Sequence, residues 1–457
     1  MTHCEARLAN LVAPGSRLED VHAAMNAAMP VAGRQVQSHQ TAMTLAFPFM
    51  SYMRAISRYC REHQIRHVYF LSREGLFFKR LFDVMDQSGL ETHYLCVSRM
   101  SLLMLSIEAL DEQAVDRLLA LFEHHSHLAR VSIRQLLYIL KIDNREVFGI
   151  VRRLSHDVRL SMPFKENRAV FRSVLLDPRI GRCFARKRSD YLGLFERYLH
   201  ASHLPSADRV LLCDMGWSGS MQTYLASVLQ ALGCTVQLNG FYFGYDKTID
   251  AKKHPASVNA TIKTGYFVYD GAPDHVQEQQ IINNLSLEIL ASAEHGSVIS
   301  YRDKLGRVTP VFKHVPEEIW QHRRFIRPFQ DLIINYAQRY QVLFDEMARV
   351  YAENELYAYN LRITHALFHD PSPEFRRFLA FIFHDDFFGQ NVRILIAPYT
   401  PSCWRQRIRF GVRGLACGVA RFLVPPSLLG WLAGGEIETS SRRSDDSTRP
   451  DAKRPTL

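Results

Sequence analysis

The hydrophobic positions of this chain change from helical to strand spacing and back near its amino-terminal end. Segment 41–64 repeats apolar residues from Phe47 to Ile56 once per helical turn, which predicts an amphipathic helix. HVYFLSREG at 67–75 is an apolar, β-rich run that ends in Ser, Arg and Gly. A helical pattern, LFFKRLFDVMDQSG, and a second strand, THYLCVSR, follow it. Strand, tight loop, helix and strand in this order predict an open α/β sheet.

A long helical stretch separates this unit from a second one. LLALFEHH, IRQLLYILKI and DYLGLFERYLH all show the 3.6-residue period, which predicts a helical insertion at 106–200. The strand pattern returns in RVLLCDMGWSGSM at 209–221 and, after a helix, in VQLNGFYFGY. The α/β unit is therefore predicted to resume after the insertion.

The predicted organisation follows these changes of pattern. Its parts are a leader at 1–40, the first part of an α/β domain at 41–105, a helical insertion at 106–200, the second part of the α/β domain at 201–313, a helical region at 314–400, a basic amphipathic segment at 401–434 and a disordered tail at 435–457.

Composition narrows the class of protein. With 47% hydrophobic and 22% charged residues, the chain is neither fibrous nor wholly disordered. The eight cysteines include no CxxC pair and several lie in apolar runs, so we expect reduced, buried thiols and a cytoplasmic protein. No run approaches the roughly 18 apolar residues of a membrane span. The net charge of +10 favours an anionic partner without identifying it.

The basic charge is concentrated near the carboxyl-terminal end. Segment 401–434 has five arginines and no acid, interspersed with aliphatic and tryptophan side chains. Such a segment is typical of peptides that lie on anionic lipid, which predicts a peripheral membrane protein. A carboxyl-terminal packing helix with a solvated basic face is the alternative. The apolar content argues against nucleic-acid binding, which needs basic and aromatic residues on one face.

The most informative motif is VLLCDMGWSGSM at 210–221. Asp214 follows four apolar residues of a predicted buried strand, and small residues lead into a helix. Backbone N–H groups at a helix amino terminus favour a phosphate, and the carboxylate can accept hydrogen bonds from sugar hydroxyls or hold a metal. A structural turn remains the alternative. Trp217 is predicted either to stack on a sugar or to cover the core.

The second motif, FLSREG, places an arginine on the turn after the first strand. Arg73 is predicted to project from the same carboxyl edge of the sheet as Asp214, and its planar guanidinium suits a diphosphate. Gly75 would permit close backbone approach. The alternative for Arg73 is a surface salt bridge with Glu74 or Asp83.

These motifs carry a resemblance to a known family. VLLCDMGWSGSM resembles the phosphoribosyl diphosphate motif of type I phosphoribosyltransferases, and FLSREG resembles their short diphosphate loop. Joined by a helical insertion, the pair is similar to the phosphoribosyltransferase modules of bacterial polysaccharide ribofuranosyltransferases, which often adjoin a haloacid-dehalogenase-type phosphatase. The similarity covers about 45–105 and 200–310. It implies an α/β fold with a mainly parallel phosphoribosyltransferase-like sheet, a large helical insertion and a helical carboxyl-terminal region.

The resemblance also implies roles for individual residues. Asp214 would bind the ribose hydroxyls and, with the donor diphosphate, Mg²⁺. Arg73 would hold the diphosphate. The residues implied to contact the donor diphosphate beside it are Ser72, Glu74, Gly75 and Arg99. Those implied to surround its 5-phosphate are Gly216, Trp217, Ser218, Gly219, Ser220 and Met221.

The implied activity is transfer of a 5-phosphoribosyl group, with inversion, from phosphoribosyl diphosphate to a glycan acceptor. The acceptor would be lipid-linked and belong to a surface polysaccharide such as a lipopolysaccharide O-antigen, assembled at the cytoplasmic face of the inner membrane. Glu288 is the candidate general base, with a helix-surface role as its alternative. The chain has no DxDx[TV] motif, so the phosphatase that leaves β-ribofuranose would be a separate protein.

Two departures from the family pattern keep other functions open. Met215 stands where a second acid is usual, and serines replace the threonines of the phosphate loop. A non-catalytic scaffold of a polysaccharide assembly complex is therefore one alternative. A metal-dependent phosphohydrolase is another, with metal ligands from the carboxyl-terminal His-Asp pairs. The residues of those pairs are His365, His369, Asp370, His384, Asp385 and Asp386. EHHSH also places His124 and His127 at a spacing compatible with a metal, or on a solvated helix face.

Overall fold

The structure is a computed structural model of the full 457-residue chain. The chain divides into two units, Met1–Pro398 and Tyr399–Leu457, and every described residue belongs to the first. The predicted basic segment at 401–434 and the predicted tail at 435–457 therefore lie outside the described residues. The described residues are 12, 13, 15–29, 36–86, 88–123, 130–154, 157, 159–253, 262–268, 284–369, 371–373, 375, 378, 379, 383–386 and 392–395.

Eleven strands are described. They are β1 (His67–Leu71), β2 (Glu91–Leu95), β3 (Arg130–Ser132), β4 (Ser161–Pro163), β5 (Arg209–Trp217), β6 (Gln237–Tyr245), β7 (Ile262–Val268), β8 (Val298–Lys304), β9 (Arg307–Phe312), β10 (Phe383–Asp386) and β11 (Val392–Leu395). The pairs β3–β4, β8–β9 and β10–β11 are antiparallel two-stranded ladders outside the central sheet.

Helices account for most of the remaining described chain. They are α1 (Leu18–Ala28), α2 (Val36–Glu62), α3 (Gly75–Met85), α4 (Arg99–Ser106), α5 (Glu112–Glu123), α6 (Ile133–Ile139), α7 (Arg145–Arg153), α8 (Arg168–Leu175), α9 (Pro178–Ala201), α10 (Ser220–Ala231), α11 (Lys247–Lys253), α12 (Asn284–Ala291), α13 (Pro316–Gln321), α14 (Arg327–Val350) and α15 (Glu353–His369). A 3₁₀ turn spans Leu204–Ser206, and a π-helical turn, His322–Ile326, joins α13 to α14. None of the described helices is long and apolar enough to cross a membrane.

The central sheet has five parallel strands in the order β2-β1-β5-β6-β7. The chain crosses from β1 to β2 on one side and later returns to place β5 on the other side of β1. Helices cover both faces, which explains why β1 and β5 consist of nearly continuous apolar residues rather than alternating ones. The predicted α/β fold class is confirmed.

Two apolar cores lie on the two faces of the sheet. Val68 and Phe70 of β1 contribute to the first core, with α2, α3, α14 and α15, whereas Tyr69 and Leu71 contribute to the second. The second core contains α4, α10 and the helices of the predicted insertion, so the insertion shares its buried surface with the sheet. The described part of the predicted insertion also contains the short β3–β4 pair.

One prediction about local structure is wrong. The sequence predicts a helical region over 314–400, but His384, Asp385 and Asp386 lie in strand β10, which pairs with β11. The five described cysteines (Cys60, Cys96, Cys183, Cys213 and Cys234) are free, in line with the reduced thiols predicted.

Candidate functional site

The two motifs lie at the carboxyl edge of neighbouring strands. β1 pairs in parallel with β5, and Phe70 lies opposite Cys213. The turn at 72–75 and Asp214 therefore come just after paired residues of two neighbouring strands. β1 is also the strand at which the connections divide, because β2 lies on one side of it and β5 on the other. In α/β proteins, ligands commonly bind at the carboxyl ends of the strands where the connections divide in this way.

The strand before the phosphate-suited turn is longer than the sequence predicts. β5 continues past Asp214, and Gly216 and Trp217 pair with Gly244 and Tyr245 of β6. Gly216 has φ +109°, and a Cβ there would overlap the carbonyl oxygen of Gly244. The prediction that Gly216 and Trp217 belong to the loop is therefore wrong, because the matching glycine in β6 lets the two strands stay in contact.

The turn itself is short and enters α10. Gly219 has φ +57° and occupies the position before the helix, where it offers no side chain to cap the first turn. The hydroxyls of Ser218 and Ser220 lie 2.8 Å apart, and both residues are buried. Met221, the last residue assigned to the turn, packs beside the second core. The amino terminus of a 12-residue helix with two buried hydroxyls beside it suits an anion.

Trp217 faces the core rather than an open cleft. Its indole packs beside the first core, and a Cβ added to Gly244 would come 2.5 Å from the indole ring. The indole Nε1 is buried without a hydrogen-bond partner. Of the two alternatives for Trp217, this arrangement matches the core-covering one.

Asp214 is the buried carboxylate of the site. It is 5% exposed, and its Oδ1 has no hydrogen-bond partner. Burial raises its pKa well above the usual range, and the charges of Glu74 and Glu288 raise it further. A hydrogen bond from the backbone N–H of Met215 and the positive charge of Arg99 lower it. The Asp214 backbone carbonyl and that of Phe241 accept hydrogen bonds from the Tyr52 hydroxyl, at 3.3 and 2.7 Å. The strand end is thus held rigidly while one carboxylate oxygen stays unsatisfied.

The next residue, Met215, points away from the site. It is buried in the first core, as expected from the alternation of side chains along a strand. An acid at this position would be buried among apolar groups, which is costly without a partner. The methionine is therefore explained by packing in this fold.

The turn after β1 is built around buried contacts. The Ser72 hydroxyl donates to the Val97 carbonyl at 2.6 Å, and the peptide bond between Ser72 and Arg73 is cis. A Cβ at Gly75 would come 2.7 Å from the carbonyl carbon of Phe70, so only glycine lets α3 start this close to β1. The turn therefore fixes the backbone from which Arg73 projects.

Arg73 is buried and ion-paired. It is 7% exposed, its Nη1 donates to Glu318 Oε2 at 3.3 Å, and its Nε lies 4.0 Å from Glu74 Oε1. The predicted salt bridge between Arg73 and Glu74 is present, but it is buried rather than on the surface. Asp83 pairs with Lys79 instead, and the second partner of Arg73, Glu318, comes from α13, 245 residues away. A diphosphate that binds Arg73 would have to displace these carboxylates or share the guanidinium with them.

Arg99 and Glu288 also reach the neighbourhood of Asp214. Arg99 is the first residue of α4, after a capping box formed by Ser98 and Ser101, and its charge lowers the pKa of Asp214. Glu288 lies on α12 and raises the pKa of Asp214. The structure therefore brings Asp214, Glu74, Glu288 and Arg99 within electrostatic range of one another.

A lysine that the motifs do not predict lies beside the phosphate-suited turn. The Lys263 side chain lies 3.0 Å from the position of a Cβ on Gly219, and its Nζ donates to Thr223 Oγ1 and Asp250 Oδ2, each at 2.7 Å. Lys263 is in β7, two strands from β5, so it is found only once the sheet order is known. Glu318 likewise cannot be identified from the sequence, because it lies 245 residues from Arg73 along the chain.

These residues fit Mg²⁺ with oxygen ligands. A divalent cation would relieve the repulsion among Asp214, Glu74 and Glu288 and would satisfy the buried Oδ1 of Asp214. Mg²⁺ in phosphate-binding sites commonly uses one or two carboxylates, waters and substrate oxygens, so a closed cage of protein ligands is not required.

Other predicted motifs lie elsewhere. His365 and His369 lie in α15, and His384, Asp385 and Asp386 lie in β10. His124, His127 and Asp370 lie outside the described residues. Fold and site together define an α/β protein with a parallel sheet and an acidic, arginine-containing carboxyl edge.

No family model matches the chain, and no curated protein matches it.

Proposed function

We propose that this protein is a glycan phosphoribosyltransferase that uses phosphoribosyl diphosphate as donor. The observation that carries the proposal is the position of the two motif turns after adjacent parallel strands, with the unsatisfied carboxylate oxygen of Asp214 at the same end of these strands. A sugar activated by diphosphate at C1 and phosphorylated at C5 needs two anion sites separated by a group that contacts its ring. The resemblance of both motifs to type I phosphoribosyltransferases supports the same assignment.

The donor would be held at its two ends. The first turn of α10, with Ser218 and Ser220, would bind the 5-phosphate, because helix amino termini and hydroxyls stabilise phosphate oxygens. Arg73 and Arg99 would bind the diphosphate. Asp214, with Glu74, would hold Mg²⁺, whose chemistry is to neutralise the charge of the departing diphosphate.

The reaction replaces one bond at C1 of the ribose with another. The bond between C1 and the diphosphate oxygen breaks, and its electron pair leaves with the diphosphate. The oxygen of an acceptor hydroxyl bonds to C1 from the opposite face, and the Glu288 carboxylate accepts its proton. The negative charges of Asp214 and Glu74 stabilise the oxocarbenium-like centre between these events. A separate phosphatase would then remove the 5-phosphate.

Activity is tested by the mass of the acceptor. Purified protein incubated with phosphoribosyl diphosphate, Mg²⁺ and candidate lipid-linked glycans is expected to add one phosphopentose to an acceptor, as read by mass spectrometry. Binding of the donor without any transfer to a broad acceptor panel would favour the scaffold alternative. Absence of donor binding by calorimetry would contradict the proposal itself.

Glu318 is expected to compete with the diphosphate for Arg73. The variant Glu318→Gln removes one carboxylate from the buried guanidinium and leaves Glu74 in place. Donor affinity should rise roughly 5- to 10-fold, since about 1 kcal/mol of competing ion-pair energy is lost. Titration calorimetry with phosphoribosyl diphosphate and Mg²⁺ measures this. Glu166→Gln, at an exposed position of the helical insertion, is the control and should leave affinity unchanged.

The complementary variant removes the arginine itself. Arg73→Ala should weaken donor binding roughly 10- to 100-fold, as expected for loss of charged hydrogen bonds, without changing affinity for an acceptor analogue. Because the change also removes the ion pair between Arg73 and Glu318, thermal unfolding of the variant must be measured in parallel. Unchanged donor affinity in a folded Arg73→Ala protein would remove Arg73 from the site.

Localisation at the cytoplasmic face of the inner membrane is part of the same proposal. Lipid-linked acceptors are presented at that surface, and the five arginines of 401–434 would attract anionic headgroups.

A further inference from the structure

Two histidines and a glutamate meet at the amino edge of the sheet, opposite the candidate site. One ligand atom from each of His67, Glu91 and His93 lies within 4.8 Å of the other two. His67 begins β1 and Glu91 begins β2, whereas the proposed donor-binding turns follow the carboxyl ends of the strands. The cluster is therefore separate from the proposed transfer site.

The register of two strands brings these residues together. His67 pairs with Glu91, and His93 pairs with Tyr69, in the parallel ladder between β1 and β2. Residues two apart in a strand share a face, so all three side chains lie on the same face of the sheet. His93 stacks on Tyr69 at 4.5 Å, and the rings of His67 and His93 are 5.9 Å apart. The two imidazoles are thus held close by backbone pairing and aromatic packing.

Each of the two histidines has one ring nitrogen without a hydrogen-bond partner. His67 Nδ1 and His93 Nε2 are both buried from solvent and unsatisfied, and the nearest carboxylate contact, from His67 Nδ1 to Glu91 Oε2, is 3.6 Å. Unpaired buried polar atoms are costly in a native protein and call for a partner. Lys79, the neighbouring cation, is occupied by Asp83 and Thr92 at 2.6 and 2.9 Å.

Protonation does not satisfy both rings. The rings of His67 and His93 are 5.9 Å apart, so a proton on each would place two positive charges against each other. A metal ion between the rings accepts lone pairs from both.

We propose that His67, Glu91 and His93 bind a divalent transition-metal ion of the Zn²⁺ class. Two imidazoles and one carboxylate form a three-ligand set of the kind that leaves a fourth position for water. Imidazole ligands favour Zn²⁺ over Mg²⁺ or Ca²⁺. The Glu91 side chain is 64% exposed, which gives the ion a path from solvent. The bound ion would join edge strand β2 to β1 at their first residues.

The test is metal binding by protein that carries no affinity tag. Equilibrium dialysis against Zn²⁺ should load one ion more per chain in the wild type than in the double variant His67→Asn/His93→Gln. Glu91→Gln should weaken that ion's binding by at least about 10-fold, the lower end of what loss of even an outer-shell partner costs. His200→Gln, an exposed histidine on α9, is the matched control and should bind as the wild type does.

Cobalt identifies the ligands independently. Co²⁺ bound at this cluster should give visible absorption without the near-ultraviolet charge-transfer band of thiolate ligands, and the double variant should lose that absorption. Zinc should also raise the melting temperature of the wild type more than that of the double variant. Equal zinc stoichiometry in wild type and double variant, or a cobalt spectrum dominated by thiolate, would overturn the proposal. Circular dichroism of the variants checks that they are folded.

Discussion

Asp214→Asn is expected to make the free protein more stable and to abolish phosphoribosyl transfer. The Asp214 carboxylate is buried, its Oδ1 has no hydrogen-bond partner, and the charges of Glu74 and Glu288 repel it. Its ionised form is therefore destabilised in the folded state. An asparagine keeps the size of the side chain and removes the charge. The unfolding free energy at pH 7 should rise by at least about 1 kcal/mol, the worth of less than one unit of raised pKa.

The pH dependence of this gain has a defined sign. The folded protein binds the Asp214 proton more tightly than the unfolded chain, so the wild type loses stability as pH rises from the unfolded value near 3.8 through the raised folded pKa. The gain from Asp214→Asn should therefore be present at pH 7 and vanish below about pH 4. Thermal unfolding of both proteins across this range measures it.

Loss of activity is expected in the same variant. An amide cannot supply the negative charge that would hold Mg²⁺ and stabilise the ribosyl centre, so turnover should fall by about 100-fold or more. A variant that is more stable and inactive would identify a carboxylate retained for chemistry at the expense of folding. A stable variant with wild-type turnover would remove Asp214 from the mechanism.

Asp177→Asn provides a control of opposite sign. Asp177 precedes α9, far along the chain from the motif turns, and its pKa is lowered to about 2, chiefly by hydrogen bonds from Arg179. Because asparagine also caps helices, the substitution mainly removes charge. It should lower stability at pH 7, and the difference should disappear as pH falls through about 2, with transfer unchanged. Loss of activity here would point to global damage.

Local pattern predicted the sheet strands more reliably than the site around them. Continuous apolar runs predicted β1, β5 and β6, and motifs at their ends predicted the shared edge that the parallel ladder provides. These features depend on a few neighbouring residues and on the rule that parallel strands present their carboxyl ends together. The order β2-β1-β5 is what makes the two turns neighbours.

Contacts between distant segments could not be predicted in this way. Glu318 reaches Arg73 from α13, and Lys263 reaches the Gly219 turn from β7, because helices and strands far apart in the chain pack at one edge. The His67, Glu91 and His93 cluster depends on strand register, which a single sequence does not specify without its partner. The alternation that buries Met215 is visible in the sequence once the strand is extended past Asp214.

The extension of β5 yields a prediction about Gly216. If Gly216 lay in a free phosphate loop, alanine would be tolerated with a modest conformational cost. In the ladder, a Cβ would overlap the Gly244 carbonyl oxygen and come 2.7 Å from the Tyr242 Cβ, at a backbone φ of +109° that disfavours every side chain. Gly216→Ala is therefore expected to lower the unfolding free energy by about 3 kcal/mol or more, among the larger effects of single substitutions.

Gly233→Ala separates the backbone conformation from the overlap. Gly233 has φ +71°, and a Cβ there would meet nothing within 4 Å, so only the left-handed backbone is penalised, at about 1 to 2 kcal/mol. Urea unfolding followed by both circular dichroism and tryptophan fluorescence compares the two variants with the wild type. A Gly216→Ala midpoint at or above that of Gly233→Ala would mean that the backbone at 216 is free of β6, which returns this residue to the loop. A clearly lower midpoint supports the ladder, and with it a donor site that begins only at Ser218.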